Sequence, residues 1–321
     1  MELNQIISGI RSGDKLALSK GITLVESQKL EDRYLSHQLI HALYTHRKKS
    51  IRLGITGIPG VGKSTFIENL GIHIVESGLK VAVLAIDPSS SRGSGSILGD
   101  KTRMEDLIRN ENAFIRPSPT SGNLGGVASR TRETMLLCEA AGYDVVIIET
   151  VGVGQSETEV INVTDTFMML AMPGTGDELQ GIKRGIMESA DIIVVNKADG
   201  PNVANAAKAK KQIEIALHLF PSAISGWGPK VLVASGIQNE GVKESWEAVM
   251  DRDRTISESG WMEENRKSQQ FRAFQNLAEQ AALQRFLQQV DDKVNLEEIR
   301  LEIENAESNE FEAVLKLLDS L

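Results

Sequence analysis

The segment Gly57-Ile58-Pro59-Gly60-Val61-Gly62-Lys63-Ser64-Thr65 places glycines, a lysine and hydroxyl residues at the spacing of a phosphate-binding loop. Glycines let successive backbone N–H groups turn toward an anion, an approach that a Cβ would obstruct. Lys63 would reach the β- and γ-phosphates as a point charge, and Ser64 would offer its hydroxyl to Mg²⁺. The loop follows the apolar run at 51–56 and precedes the helix-like Phe66-Ile67-Glu68-Asn69-Leu70. A helix beginning near Gly62 would aim its positive dipole end at the phosphates. That context predicts binding of a nucleoside triphosphate.

The base is expected to be read further along. Asn196-Lys197-Ala198-Asp199 follows the strand-like run at 191–195. A carboxylate at 199 can accept both N1–H and N2–H of guanine, whereas adenine would leave it desolvated and unpaired. Asn196 would contact the purine edge and tie down the loop, and the Lys197 stem would cover the ring. A second loop, Val233-Ala234-Ser235-Gly236, could supply a backbone N–H to the guanine oxygen, though the same residues also suit an ordinary turn. The expected cofactors are GTP or GDP and Mg²⁺.

Between these motifs, a β-branched run ends in Glu149 and leads into Thr150-Val151-Gly152-Val153-Gly154-Gln155. An acid ending a buried strand three residues before a glycine is a metal-linked switch pattern, and the Gly152 N–H could sense the γ-phosphate. Val153 cannot orient an attacking water, which predicts slow intrinsic hydrolysis unless Gln155 or a partner compensates. The strand-like run at 81–86 ends in Asp87 and opens into a Ser/Gly-rich stretch that reaches Asp100. Such composition cannot build core and suits a switch loop, with a plain surface linker as the alternative. Asp87 could sit in the outer shell of the metal, and Asp100 could bind a metal-bound water or the nucleophile.

Together the residues at 57–65, Ala85-Ile86-Asp87-Pro88-Ser89-Ser90, the run at 149–157, Pro173-Gly174-Thr175-Gly176-Asp177-Glu178-Leu179-Gln180-Gly181-Ile182-Lys183 and Asn196-Lys197-Ala198-Asp199 closely resemble one family. These are the MeaB/ArgK-type G-protein chaperones of adenosylcobalamin-dependent acyl-CoA mutases, some carrying an older label as lysine/arginine/ornithine transport kinases. The similarity spans roughly residues 30–250. It implies a SIMIBI-type G domain, a partner mutase of the methylmalonyl-CoA type, and homodimerisation. It also assigns Ser64, Asp87, Asp100 and Glu149 to magnesium and switch positions, and places Lys183 with Gln180 in a third switch that answers the mutase. Lys63, Asp100, Gln155 and Lys183 are then the expected catalytic set.

The elements that must position these groups read as an α/β P-loop fold: a mostly parallel sheet between helices, with helical extensions at both ends. Strands are expected near 51–56, 81–86, 144–149, 166–171, 191–195 and 230–233, and residues 118–126 as a loop. The expected divisions are a helical extension at 1–48, a G domain at 49–250, and a helical region at 251–321 suited to dimerisation. In the first of these, Leu35, Leu39, Ala42 and Leu43 are spaced as a helix stripe. Phe271, Phe274, Leu277, Ala281 and Leu283 suggest another in the last.

The formal charge of −9 argues against a broad nucleic-acid or anionic-membrane surface. No apolar run is long enough for a membrane span, and the N-terminal stretch lacks signal or transit character, so a cytoplasmic location is expected. Cys138 is the single cysteine and reads as a buried helix residue. Two rival functions remain: a kinase or ATPase of a transport system, and a nickel-delivery GTPase. The guanine motif disfavours the first. The second would want a His/Cys cluster, and only His37 and His41 share a helix face.

Overall fold

The computed structural model describes residues 2–27, 29–87, 104–119, 124–150, 156–173, 184–220 and 224–319. Within them, seven strands form one sheet: β1 (Ile51–Gly57), β2 (Val81–Asp87), β3 (Ala113–Pro119), β4 (Val145–Thr150), β5 (Thr166–Ala171), β6 (Ile192–Val195) and β7 (Lys230–Val233), in the order β3-β2-β4-β1-β5-β6-β7. Every pairing is parallel, and the expected α/β architecture is observed. Parallel strands need helical crossovers and buried faces, which explains why β4, β5 and β6 are uninterrupted runs of buried side chains.

The strand β3 departs from the sequence expectation. Ser118 and Pro119 end this strand, and Leu124 opens a helix, where the family resemblance implies a loop at 118–126. Pro117 and Pro119 lack an N–H and obscure the strand pattern. They are tolerated because β3 is an edge strand whose one neighbour is β2.

Helices α1 (Leu3–Arg11), α2 (Lys15–Glu26) and α3 (Leu30–Leu43) precede the sheet. Asp14 starts α2 by accepting the Leu16 N–H at 2.8 Å. Their buried residues Ile10, Leu18, Ile22, Leu39 and Leu43 share a core with α6 (Leu124–Ala140) and one face of the sheet. Leu35, expected in the same stripe, is exposed, so the stripe narrows to Leu39 and Leu43. Cys138 is buried in α6, as expected.

The other face is covered by α4 (Lys63–Glu76), α5 (Glu105–Ile108) and α10 (Val242–Glu258). Phe66, Ile67, Leu70 and Ile74 of α4 meet Trp246 and Val249 of α10 in that second core. Short helices α7 (Ser156–Ile161) and α8 (Arg184–Ser189), then α9 (Val203–Leu217), complete the crossovers.

Charges gather at the edge where the strands begin. Glu139 accepts from Arg52 Nε at 2.7 Å and Arg52 Nη2 at 3.1 Å, and also from Ser50 Oγ at 2.8 Å. Arg252 pairs with Asp191 at 2.7 Å and donates to the Asp165 carbonyl at 2.6 Å. Arg266 binds the Asp165 carboxylate at 2.5 Å and the Ser50 carbonyl at 2.7 Å. Arg52, Glu139, Asp165 and Arg252 are buried yet paired, as burial requires, and their partners Asp191 and Arg266 are partly buried.

The chain divides into two compact units, Met1–Lys267 and Ser268–Leu321. The helix α11 (Trp261–Lys293) begins in the first, and α12 (Leu296–Glu304) and α13 (Glu310–Asp319) lie in the second. On the second unit Phe271, Phe274, Leu283, Phe311 and Leu315 are exposed.

Candidate nucleotide site

All the sequence motifs that the structure describes fall at the C-terminal ends of the strands, the edge where parallel α/β sheets bind ligands. β1 lies between β4 and β5 at the middle of the sheet, and its last residue, Gly57, opens the phosphate loop. A Cβ on Gly57 would come 2.7 Å from the Leu170 carbonyl of β5, so no larger residue fits. Pro59 and Gly60 stand exposed at the loop tip, and Val61 is buried beneath them. Gly62 caps α4 with φ 92°, in the left-handed region that glycine occupies without a Cβ penalty. Thr65, on the first turn of α4, is exposed.

Lys63 is buried and donates to the carbonyls of Gly57 at 2.7 Å and Ile58 at 3.3 Å. It thereby braces its own loop, and a phosphate entering the cradle would offer stronger, charged acceptors to the same ammonium. Ser64 follows, with its Oγ 3.5 Å from Oε1 of the buried Glu149. A hydroxyl and a carboxylate side by side are an oxygen-only donor pair of the kind that hard Mg²⁺ prefers, so these residues fit the ion. Their neighbour Thr150 donates across to Thr56 Oγ1 at 2.8 Å, locking β4 to β1 just below the loop.

Asp87 ends β2, the strand beside β4, so its backbone stands two positions beyond the register point where Ala85 faces Glu149. Its side chain lies outside the described residues, as do Asp100, Gly152, Gln155, Gln180 and Lys183 entirely. Next to the Gly152 segment, Glu159 sits half-buried in α7, and desolvation pushes its carboxyl up to about 7.

The motif expected to read the base begins at the end of β6. Asn196, almost fully buried, donates Nδ2–H to the Val61 carbonyl at 2.9 Å and accepts the Gly236 N–H on Oδ1 at 3.0 Å. One amide thus fastens the phosphate loop to the loop after β7. A Cβ on Gly62 would lie 2.9 Å from that Nδ2. Lys197 adopts φ 57°, and its Cε lies 3.8 Å from where that Cβ would stand, so the stem drapes toward the phosphate loop.

Asp199 accepts a hydrogen bond from Ser235 Oγ at 2.7 Å on Oδ2. In the loop after β7, Ala234 donates to the Val195 carbonyl, Ser235 to the Glu240 carbonyl and Gly236 to Asn196. The backbone N–H groups of Ala234, Ser235 and Gly236, from which one was expected to reach the guanine oxygen, therefore all have partners within the protein. Asn69, on α4, was missed by motif reading. Its Nδ2 donates to the Gly236 carbonyl at 2.6 Å. No sequence signal marks it, because it lies inside the amphipathic pattern of α4.

Among the described residues no group of three or more His, Cys, Asp or Glu is arranged to hold a metal, and His37 and His41 lie exposed on α3. No helix among the described residues is long and apolar enough to cross a membrane.

The family model described as "Methylmalonyl Co-A mutase-associated GTPase MeaB" matches residues 18–291. A protein of Escherichia coli K12 named "GTPase ArgK" is 51% identical over 267 residues, 83% of this chain and 81% of that one. A mouse protein named "Methylmalonic aciduria type A homolog, mitochondrial" is 41% identical over 294 residues, 88% of this chain and 71% of that one. A crystal structure described as "LAO/AO transport system kinase" superposes with a TM-score of 0.76 at 39% identity, covering 99% of this chain and 96% of that one.

Proposed function

The chain belongs to the MeaB family of methylmalonyl-CoA mutase-associated GTPases, and from that premise we propose that it gates the loading and protection of an adenosylcobalamin-dependent acyl-CoA mutase. It is a GTPase on a P-loop fold, and its output in this reading is a conformational change timed by hydrolysis. The observation that carries the proposal is the match across 18–291 to a family described by its mutase association. The Asn196 bridge between the phosphate loop and the loop after β7 supports this reading.

In that cycle Lys63 would hold the β- and γ-phosphates. Ser64 and Glu149, with Asp87 and Asp100, would hold Mg²⁺, which neutralises charge on the phosphate oxygens when bound. Asp100 and Gln155 would orient the attacking water, and Lys183 would respond to the partner. Gly152 would sense the γ-phosphate. The exposed aromatic and aliphatic groups of the second unit favour a homodimer formed through the region at 251–321. The acidic charge supports a reading with no nucleic-acid surface, and a cytoplasmic location belongs to the same proposal.

Similarity to the crystal structure of a transport system kinase motivates a second reading, in which this chain is a kinase serving such a system. Capture from a native lysate on immobilised protein loaded with a non-hydrolysable GTP analogue separates the two. A co-purifying B12-dependent mutase that accelerates GTP turnover supports the chaperone. Recovery of a transport component with phosphoryl transfer to it overturns that reading.

A further inference from the structure

Two amide side chains tie the phosphate-binding and base-binding halves of the site together, and the sequence motifs account for one of them. Asn196 reaches from the base side to Val61 in the phosphate loop. Asn69 reaches the opposite way, from α4 to the Gly236 carbonyl at 2.6 Å, and its Nδ2 also lies 3.3 Å from the Thr65 carbonyl within its own helix. Gly236 is thus held on both sides of its backbone: its N–H by Asn196 Oδ1 at 3.0 Å and its carbonyl by Asn69. The fit is close. A Cβ on Gly236 would stand 3.4 Å from the Phe66 nitrogen and 3.5 Å from its Cα, so the loop lies directly on the first turn of α4.

The residue before Gly236 is Ser235, whose hydroxyl donates to Asp199 at 2.7 Å and accepts the Gln238 N–H at 3.2 Å. The path from Asn69 to Asp199 therefore runs through the Gly236 backbone and the Ser235 hydroxyl. We propose that Asn69 is a positioning residue for guanine recognition, holding the 235–238 loop against α4 so that Ser235 orients the Asp199 carboxylate. The helix that grips the phosphates through Lys63 and Ser64 thereby also sets the geometry of the base pocket.

This inference rests on the guanine-nucleotide reading above and predicts a base-selective defect. Asn69→Ala removes the donor, and Asn69→Asp keeps the shape while replacing the donor with an acceptor that repels two carbonyls. Both variants should bind GDP about three- to tenfold more weakly, the loss of one hydrogen bond. Inosine diphosphate lacks the 2-amino group that Asp199 reads, so the variants should lose less affinity for it, and the GDP-over-IDP preference should shrink. Affinity for inorganic tripolyphosphate should hold at the parent value. Asn69→Gln, which retains an amide donor, should recover part of the preference.

Equal losses for GDP, IDP and tripolyphosphate would overturn the proposal and make Asn69 a structural support of α4. GDP affinity and preference unchanged in both variants would also overturn it. If neither variant folds, side-chain amide exchange in the unmodified protein decides: slow exchange of the Asn69 amide protons supports the clamp, and solvent-rate exchange refutes it. An unmodified protein that binds no GDP would instead sink the underlying guanine reading.

Discussion

Asp199→Asn exchanges one carboxylate oxygen for an amide and so reverses the hydrogen-bonding sense at one edge of the base pocket. The side chain should keep its place, because the Ser235 hydroxyl 2.7 Å from Oδ2 can accept as readily as it donates. Guanine presents two donors, N1–H and N2–H, and in the proposed reading the carboxylate accepts both. The asparagine accepts one and turns its own N–H toward the other. The loss is one charge-assisted hydrogen bond plus the cost of an unpaired donor, about 2–4 kcal/mol together. That is about thirtyfold to about a thousandfold in affinity. Xanthine carries a carbonyl where guanine carries the amine, so the variant's acceptor and donor both find partners and its affinity for XDP should rise. Calorimetric titration of the parent and the variant with GDP, XDP and tripolyphosphate at millimolar Mg²⁺ reads all three terms. Unchanged GDP affinity, or an equal fall for tripolyphosphate, would refute the assignment of base reading to position 199.

Gly62→Ala puts a Cβ at a φ of 92° and 2.9 Å from Asn196 Nδ2, so it should strain the backbone and displace the Asn196–Val61 bond. The two effects together cost about 2–4 kcal/mol, measured as a lowered urea midpoint with weakened nucleotide binding. Glu159 has its carboxyl raised from 4.5 to about 7 by burial, so the folded state holds the proton more tightly than the unfolded chain. Stability from this group is therefore complete below pH about 4.5 and falls as pH rises toward about 7. Glu159→Gln should melt higher than the parent at pH 8 and alike at pH 4; equal melting at both would refute the shift. Lys183→Ala should blunt mutase-stimulated GTP turnover while leaving GDP affinity near the parent's, and a loss of binding would show a structural role instead.

The phosphate loop was legible because its parts are contiguous: an apolar run, glycines where a Cβ cannot go, then an amphipathic helix. The Asn196–Asp199 motif was legible for the same reason. β3 was not, because Pro117 and Pro119 are strand breakers anywhere except at a sheet edge, and the sequence does not say which strand is the edge. Asn69 escaped notice because its partner Gly236 is 167 residues away and the bond goes to a backbone carbonyl, which carries no residue identity. Long separation in sequence also hid the arginine–carboxylate pairs. Arg52 and Glu139, 87 residues apart, each look like a surface charge until the fold brings them together. In the second unit the apolar stripe of α11 could be read, and Phe271 and Phe274 stand 60% and 61% exposed on it.

The Arg52–Glu139 pair restricts how this sequence can drift. Removing Glu139 strands the buried Arg52 charge, a penalty of about 3–5 kcal/mol, a large fraction of a domain's margin of stability. Replacing both with well-packed apolar groups is often neutral. Any lineage exchanging the pair must therefore cross a fitness valley at the first step, or change both codons before selection acts. Ser50 and Arg47 also contact the Glu139 carboxylate, so they soften the loss of Arg52 and make the loss of Glu139 the costlier first step.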